Sequence, residues 1–356
     1  MTKRPVLCLA VCLSLISVPF TAEKGVIIRV TPAFGAHPEV VEVRTTRAER
    51  NVIGLMTRSI DTYRGTIASS LSAPRTATSV VWKVESSASS SRTLQLSRQV
   101  LAQVQFLFES LGLIRADRTY VVVGRTQQFI NDTLEGLDCF PNLVRTGGVH
   151  LMGAAVCNRR VIVLNLTGYF FLRRAGDVLT TALESRAEPN LGRVDYRIAD
   201  RNISGLAHEW VHVARASAND GQVAPDEPAW VREGFAELMA GVARVLTFPS
   251  RMNYSVFHVV RIRKFTDWER LCPEPLRRYR EDADLLAGCE YYLGAVAMEY
   301  LVATMGGLPK AIELFRRSAE LLSFSKAFRE TYGESLDSFE QRADAYARAM
   351  AALPDN

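Results

Sequence analysis

Two histidines stand four residues apart in Leu206-Ala207-His208-Glu209-Trp210-Val211-His212-Val213-Ala214. On a helix of about 3.6 residues per turn they share one face, close enough for both imidazoles to reach a single ion. Glu209 points beside that ion, where a carboxylate can take a proton from a metal-bound water. The chain has only five histidines, so a pair at this spacing around a glutamate is an informative pattern. The bland alternative is a helix that carries two solvated or capped histidines.

A catalytic zinc takes three protein ligands and leaves a fourth position open for water. Two histidines on one helix leave one ligand to find, and the next predicted helix, opening at Ala229-Trp230-Val231-Arg232-Glu233-Gly234-Phe235-Ala236-Glu237-Leu238, offers it. Glu233 lies 21 positions after His212, enough for the chain to pass round a loop and return on an antiparallel neighbour. Glu237 sits one turn further along the same face, where a second carboxylate can accept the remaining N–H of a ligating imidazole. Taken alone, the two glutamates would read as a solvated helix face.

His208-Glu209-Trp210-Val211-His212 followed by Trp230-Val231-Arg232-Glu233-Gly234-Phe235-Ala236-Glu237 resembles the gluzincin metallopeptidases, of which thermolysin and the aminopeptidase N group are members. It is similar in particular to the compact peptidase-MA-like domains with E-G-[FL]-A-E on the second helix. The resemblance spans roughly Val80 to Tyr346. It implies Zn²⁺ held by His208, His212 and Glu233, with Glu209 as general base and Glu237 behind the ligands. Downstream, Glu290-Tyr291-Tyr292-Leu293-Gly294 is similar to the Y-x-x-G segment in which aminopeptidases place a tyrosine hydroxyl over the zinc. This points to Tyr291 as hydrogen-bond donor to a developing oxyanion, with Tyr292 as the neighbouring alternative. Two departures stand out. The loop before Glu233 is slightly longer than in the aminopeptidase N pattern, and the G-A-M-E-N segment is absent, Met152-Gly153-Ala154-Ala155 being a loose echo.

The function expected from this resemblance is zinc-dependent peptide-bond hydrolysis, with a peptide or protein as substrate. Two alternatives keep the fold: an exported binding or scaffold protein without activity, or a zinc hydrolase of a non-peptide bond.

At 356 residues the chain can bury a sizeable core in one large or two modest domains. Of its 43 basic residues only six are lysine, and the formal net charge is +5. The basic clusters at Arg261-Ile262-Arg263-Lys264 and Arg277-Arg278-Tyr279-Arg280 are short, so they read as solvated surface and no nucleic-acid partner is expected. Lys3 and Arg4 precede an apolar run from Val6 to Val18, with the length and flank of an export signal ending near Ala22. A periplasmic or secreted protein without stable membrane insertion follows, an uncleaved amino-terminal anchor being the alternative. Cys139, Cys157, Cys272 and Cys289 remain, an even number that suggests two disulfides. Pairing neighbours, Cys139 with Cys157 and Cys272 with Cys289, closes two loops of similar size. Free buried cysteines are the alternative.

The elements that must position these residues are read from periodicity. Strands are predicted at Val26–Val30, Val40–Val43, Val80–Val84, Tyr120–Val123 and Val161–Leu164. Helices are predicted at Arg47–Ser70 and Leu94–Leu111, and the metal helix is capped by Asn202. Cys139 to Cys157 reads as loop-rich, and helices dominate from Ala229 onward. The fold class is α+β: a thermolysin-like zincin catalytic domain in which a small mixed sheet packs on the HExxH helix, followed by a mostly helical carboxy-terminal part. The division expected is a signal over 1–22, a lead-in or pro-segment over 23–77, the catalytic subdomain over 78–247 and a helical subdomain over 248–356.

Overall fold

Valine-rich runs form the strands, and their alternation fixes which helix covers each face. The computed structural model describes residues 26–30, 41–70, 80–113, 118–139, 153–157, 160–166, 196–217, 223–250, 252–263, 272–280 and 288–352. The stretch expected to be an export signal, the glycine-containing stretch 140–152 and Lys264 lie outside these residues.

Strands β1 (Val26–Val30) and β2 (Val41–Thr45) form an antiparallel pair. A second sheet contains β3 (Val80–Val84), β4 (Thr119–Gly124), β5 (Gly153–Val156) and β6 (Val161–Asn165) in the order β3-β4-β6-β5. β3, β4 and β6 run parallel, while β5 runs antiparallel at one edge with Ala155 opposite Ile162. Parallel neighbours need crossovers. Helix α2 (Arg92–Ser110) connects β3 to β4, and α3 (Gln127–Gly136) follows β4.

Successive side chains of a strand point to opposite faces. Val121, Val123, Ile162 and Leu164 therefore join the main core, whereas Val122, Val161 and Val163 pack with Ile130 and Leu134 of α3. Cover on both faces explains why these strands read as continuous apolar runs.

The metal helix α4 (Tyr196–Ser217) lies against α2, β5 and β6, burying Leu206, Ala207, Trp210, Val211 and Val213. Helix α5 (Ala229–Thr247) packs between α4, α2 and a later helix, with Phe235, Leu238, Met239 and Val242 fully enclosed. A short helix α6 (Tyr254–Phe257) widens into a π-helical stretch at His258–Arg263. The remainder is α7 (Cys289–Thr304), α8 (Gly307–Leu321), α9 (Phe324–Tyr332) and α10 (Leu336–Ala351). The structure is thus mixed, mostly helical, with a small and largely parallel sheet.

Helix α1 (Arg47–Ser70) begins with a capping box. Thr46 Oγ1 accepts the Glu49 N–H at 3.0 Å, and Glu49 Oε2 accepts the Thr46 N–H at 3.0 Å. Val52, Ile53, Met56 and Ile60 enter the main core. The second oxygen of Glu49 does so too, lying 2.9 Å from His258 Nε2. Glu299 Oε1 lies 2.7 Å from His258 Nδ1 and accepts the Tyr254 hydroxyl at 2.6 Å. Burial opposes a charge on His258, but Glu299 and Glu49 outweigh it and hold its pKa up to about 9.

Two expectations need correction, and one helix was not anticipated. Asn202 does not cap the metal helix but lies inside it, because Tyr196 to Arg201 contains no glycine or proline to stop the helix. Gly153–Val156, placed in a loop-rich stretch, is a strand that hydrogen bonds along β6. Helix α3 was not anticipated, although Thr126 caps it by accepting the Phe129 N–H. The disulfides form between neighbours as expected, Cys139 with Cys157 and Cys272 with Cys289. Such bonds belong to oxidising compartments. Among the described residues no helix is long and apolar enough to cross a membrane.

Candidate metal centre

Two successive carboxylates hold the turn that returns the chain from α4 to α5. Asp226 accepts the N–H groups of Phe324 at 2.6 Å and Ser325 at 3.1 Å, together with the Ser323 hydroxyl at 3.1 Å. It thereby closes the amino-terminal turn of α9. Burial would raise the Asp226 carboxyl, but these bonds hold it below its ordinary range. Glu227 pairs inside the protein with Arg215 of α4, whose guanidinium also lies 3.7 Å from the centre of the Phe315 ring. The first turn of α5 is fixed in the same way. The Ala229 N–H donates to the Arg280 carbonyl at 2.8 Å, and Trp230 Nε1 donates to Glu340 Oε1 at 3.0 Å. Glu233 follows one turn into the helix.

With α5 so placed, Glu233 Oε2 lies 3.3 Å from His208 Nε2 and 3.2 Å from His212 Nε2, and the two Nε2 atoms are 3.2 Å apart. Hydrogen bonds join these atoms only pairwise, through protons on the imidazoles, whereas one cation meets all three atoms at once. For tetrahedral bonds of about 2.0–2.1 Å, neighbouring donor atoms stand about 3.3 Å apart, which is the edge of this triangle. His208, His212 and Glu233 form a group able to hold a metal ion. The protonation pattern agrees. Burial disfavours charge on His208, yet Glu233 and Glu237 hold its pKa up to about 10. Burial would raise Glu233, but the two imidazoles hold it well below the usual carboxylate range. This is a site with a strong demand for positive charge.

The other expected residues surround the triangle. Glu237 Oε1 lies 3.4 Å from His208 Nδ1, on the far side of the ring from the ligand atom. Glu209 accepts the backbone N–H of Ala155, so it meets the side of β5 away from β6. Burial pushes the Glu209 carboxyl up against the pull of His208 and His212. The Tyr291 ring stacks on the His208 ring, with centres 5.7 Å apart and planes 25° apart. Tyr292 instead covers Gly288. Of the two neighbouring tyrosines, Tyr291 is therefore the one beside the histidines.

Two features of the site were not foreseen. Arg232 Nε lies 3.1 Å from Glu233 Oε1, leaving Oε2 alone to face the histidines. The Ala155 N–H was invisible because backbone groups carry no residue-type signal. Arg232 adjoins a ligand in sequence, which was the one hint available for it. Compared with known proteins, no family model, no curated protein and no solved structure matches the chain.

Proposed function

We propose that the protein is an exported zinc metallopeptidase of the gluzincin type, with a zincin catalytic domain and no nucleic-acid partner. The observation that carries the reading is the near-equilateral triangle of His208, His212 and Glu233 donor atoms, with Glu209 beside it and bonded to the Ala155 N–H of β5. His208, His212 and Glu233 hold the ion, and Glu237 fixes the His208 tautomer. A zinc ion held there would supply Lewis-acid chemistry, lowering the pKa of a bound water to about 7.

The chain's own residues do the rest. An extended substrate pairs with the β5 edge. Glu209 takes the proton of the attacking water and delivers it to the leaving amine, a task for which a raised carboxyl pKa is suited. Tyr291 donates to the oxygen that gains negative charge. The test is cleavage of a peptide library with and without a chelator, alongside metal analysis. The expected result is chelator-sensitive cleavage with about one zinc per chain, as a single three-ligand site requires. Cleavage that survives complete metal removal would overturn the proposal, and zinc without peptide cleavage would move it to a non-peptide bond.

A further inference from the structure

We infer that the two disulfides are positioning devices for the half of the site that holds no metal: Cys139–Cys157 sets the β5 edge, and Cys272–Cys289 sets the first turn that carries Tyr291. The inference rests on the proposed peptidase function. Its starting point is the placement of the cysteines. The metal ligands lie on α4 and α5, and neither helix contains a cysteine. Cys157 directly follows β5, two residues after Ala155, whose N–H meets Glu209. Cys289 opens α7, two residues before Tyr291.

Among the described residues the four-residue β5 pairs only with β6, and α4 packs against it. The bond from Cys157 reaches Cys139, which is buried with Ile130 and Leu134 of α3 on the opposite sheet face. The edge strand is thus tied to a packed helix. Helix α7 starts from Gly288 in the left-handed region, at φ +68°, with no side chain capping it. Its close crossing with α5 lies at Gly294, nearly one turn beyond Tyr291. The first turn is also tied to Cys272, which is fully buried and whose carbonyl accepts Arg348 Nη1 of α10 at 3.1 Å. The Arg348 Nη2 atom also donates to the Glu274 carbonyl at 2.7 Å. Helix α10 therefore reaches Tyr291 through Arg348, Cys272 and Cys289.

Cys157 and Cys289 are positioning residues in this scheme, and each disulfide governs a different kinetic constant. The experiment compares the parent with C139A/C157A and C272A/C289A, using a fluorogenic peptide chosen from the library cleavage. Zinc affinity is measured by competition with a chromophoric chelator. Both variants are expected to keep zinc affinity within about threefold, since a lost ligand or its support would cost about 10-fold or more. C139A/C157A is expected to raise KM about 10-fold, and C272A/C289A to lower kcat about 10-fold at unchanged KM, because small misplacements are amplified in catalysis. Y291F supplies the decisive cycle. It lowers kcat in the parent but costs less than about twofold in C272A/C289A, as residues acting through one another are not additive.

Full additivity of Y291F with C272A/C289A overturns the inference, as does loss of zinc affinity in either variant or a fall in thermal stability with kinetics unchanged. A variant that does not fold is replaced by the folded parent treated with a phosphine. Each disulfide takes two electrons and two protons to give two thiols, and the phosphine becomes its oxide. Amide exchange should then rise at 153–157 and 288–292 and stay unchanged in α4 and α5; a uniform rise overturns the inference. A parent that binds no zinc and cleaves no peptide overturns the proposed function and this inference with it. A parent that does both, with additive variants, overturns the inference alone.

Discussion

Gly234, next to Glu233, and Gly294, three residues after Tyr291, meet where no side chain fits on either. A Cβ on Gly234 would fall 2.1 Å from the carbonyl carbon of Gly294, and one on Gly294 would fall 2.5 Å from the carbonyl oxygen of Trp230. The obstacle is backbone in both directions, so only a shift of α5 against α7 relieves it. G234A and G294A are each expected to cost about 1–3 kcal/mol, as overpacked cores do. The double variant should cost less than the sum, because the first shift makes room for the second methyl. Urea midpoints of the three variants check this; unchanged midpoints would contradict the contact.

Glu209 stands beside the triangle without joining it, and its raised pKa suits a group that both takes and returns a proton. E209Q preserves shape and removes the base. Hydrolysis should fall by about 10²–10⁴-fold, the span of general-base contributions. Zinc content should stay at the parent level. Turnover at the parent rate would exclude Glu209 as the base.

Glu237 Oε1 lies 3.4 Å from His208 Nδ1, the position of a partner behind a ligating imidazole in the proposed function. E237A should weaken zinc binding by about 10–100-fold, the usual effect of losing a partner behind a ligating imidazole. E237Q retains an acceptor oxygen and should fall between E237A and the parent. Chelator competition gives the order, and equal affinities in all three would remove Glu237 from this role.

The buried His258 predicts an alkaline limit to stability. Its folded pKa of about 9 lies above the ordinary 6.5. The stabilisation is therefore complete below pH 6.5 and is lost as pH rises through about 9, amounting to a few kcal/mol in order of magnitude. Tyr254 stays protonated through this window, because burial and Glu299 push its phenol well up. Urea midpoints should decline across that interval in the parent, and H258Q should flatten the decline. A parent midpoint constant over the same interval would contradict the assignment.

What was legible in the sequence shared one property: the signal lay within a single element. His208, Glu209 and His212 declare themselves by spacing on one helix, and Glu233 and Glu237 by spacing on the next. The strands from β3 to β6 were visible where valine and isoleucine dominate, and β5 was missed because Gly-Ala-Ala-Val lacks that bias. The start of α4 was misplaced because Asn202 is a good cap by type, yet the helix already runs through it. Relationships between distant segments left no local trace. Gly234 opposite Gly294, Ala155 against Glu209 and Glu49 against His258 each depend on packing that only the folded chain creates.

The last of these pairs has a consequence for the order of assembly. Glu49 and His258 are 209 residues apart. A ribosome adding about 5–20 residues per second needs roughly 10–40 s to make the intervening chain. For that time the Glu49 carboxylate has Thr46 as its partner within the helix start. The buried contacts of α1 are complete only after His258 has been made.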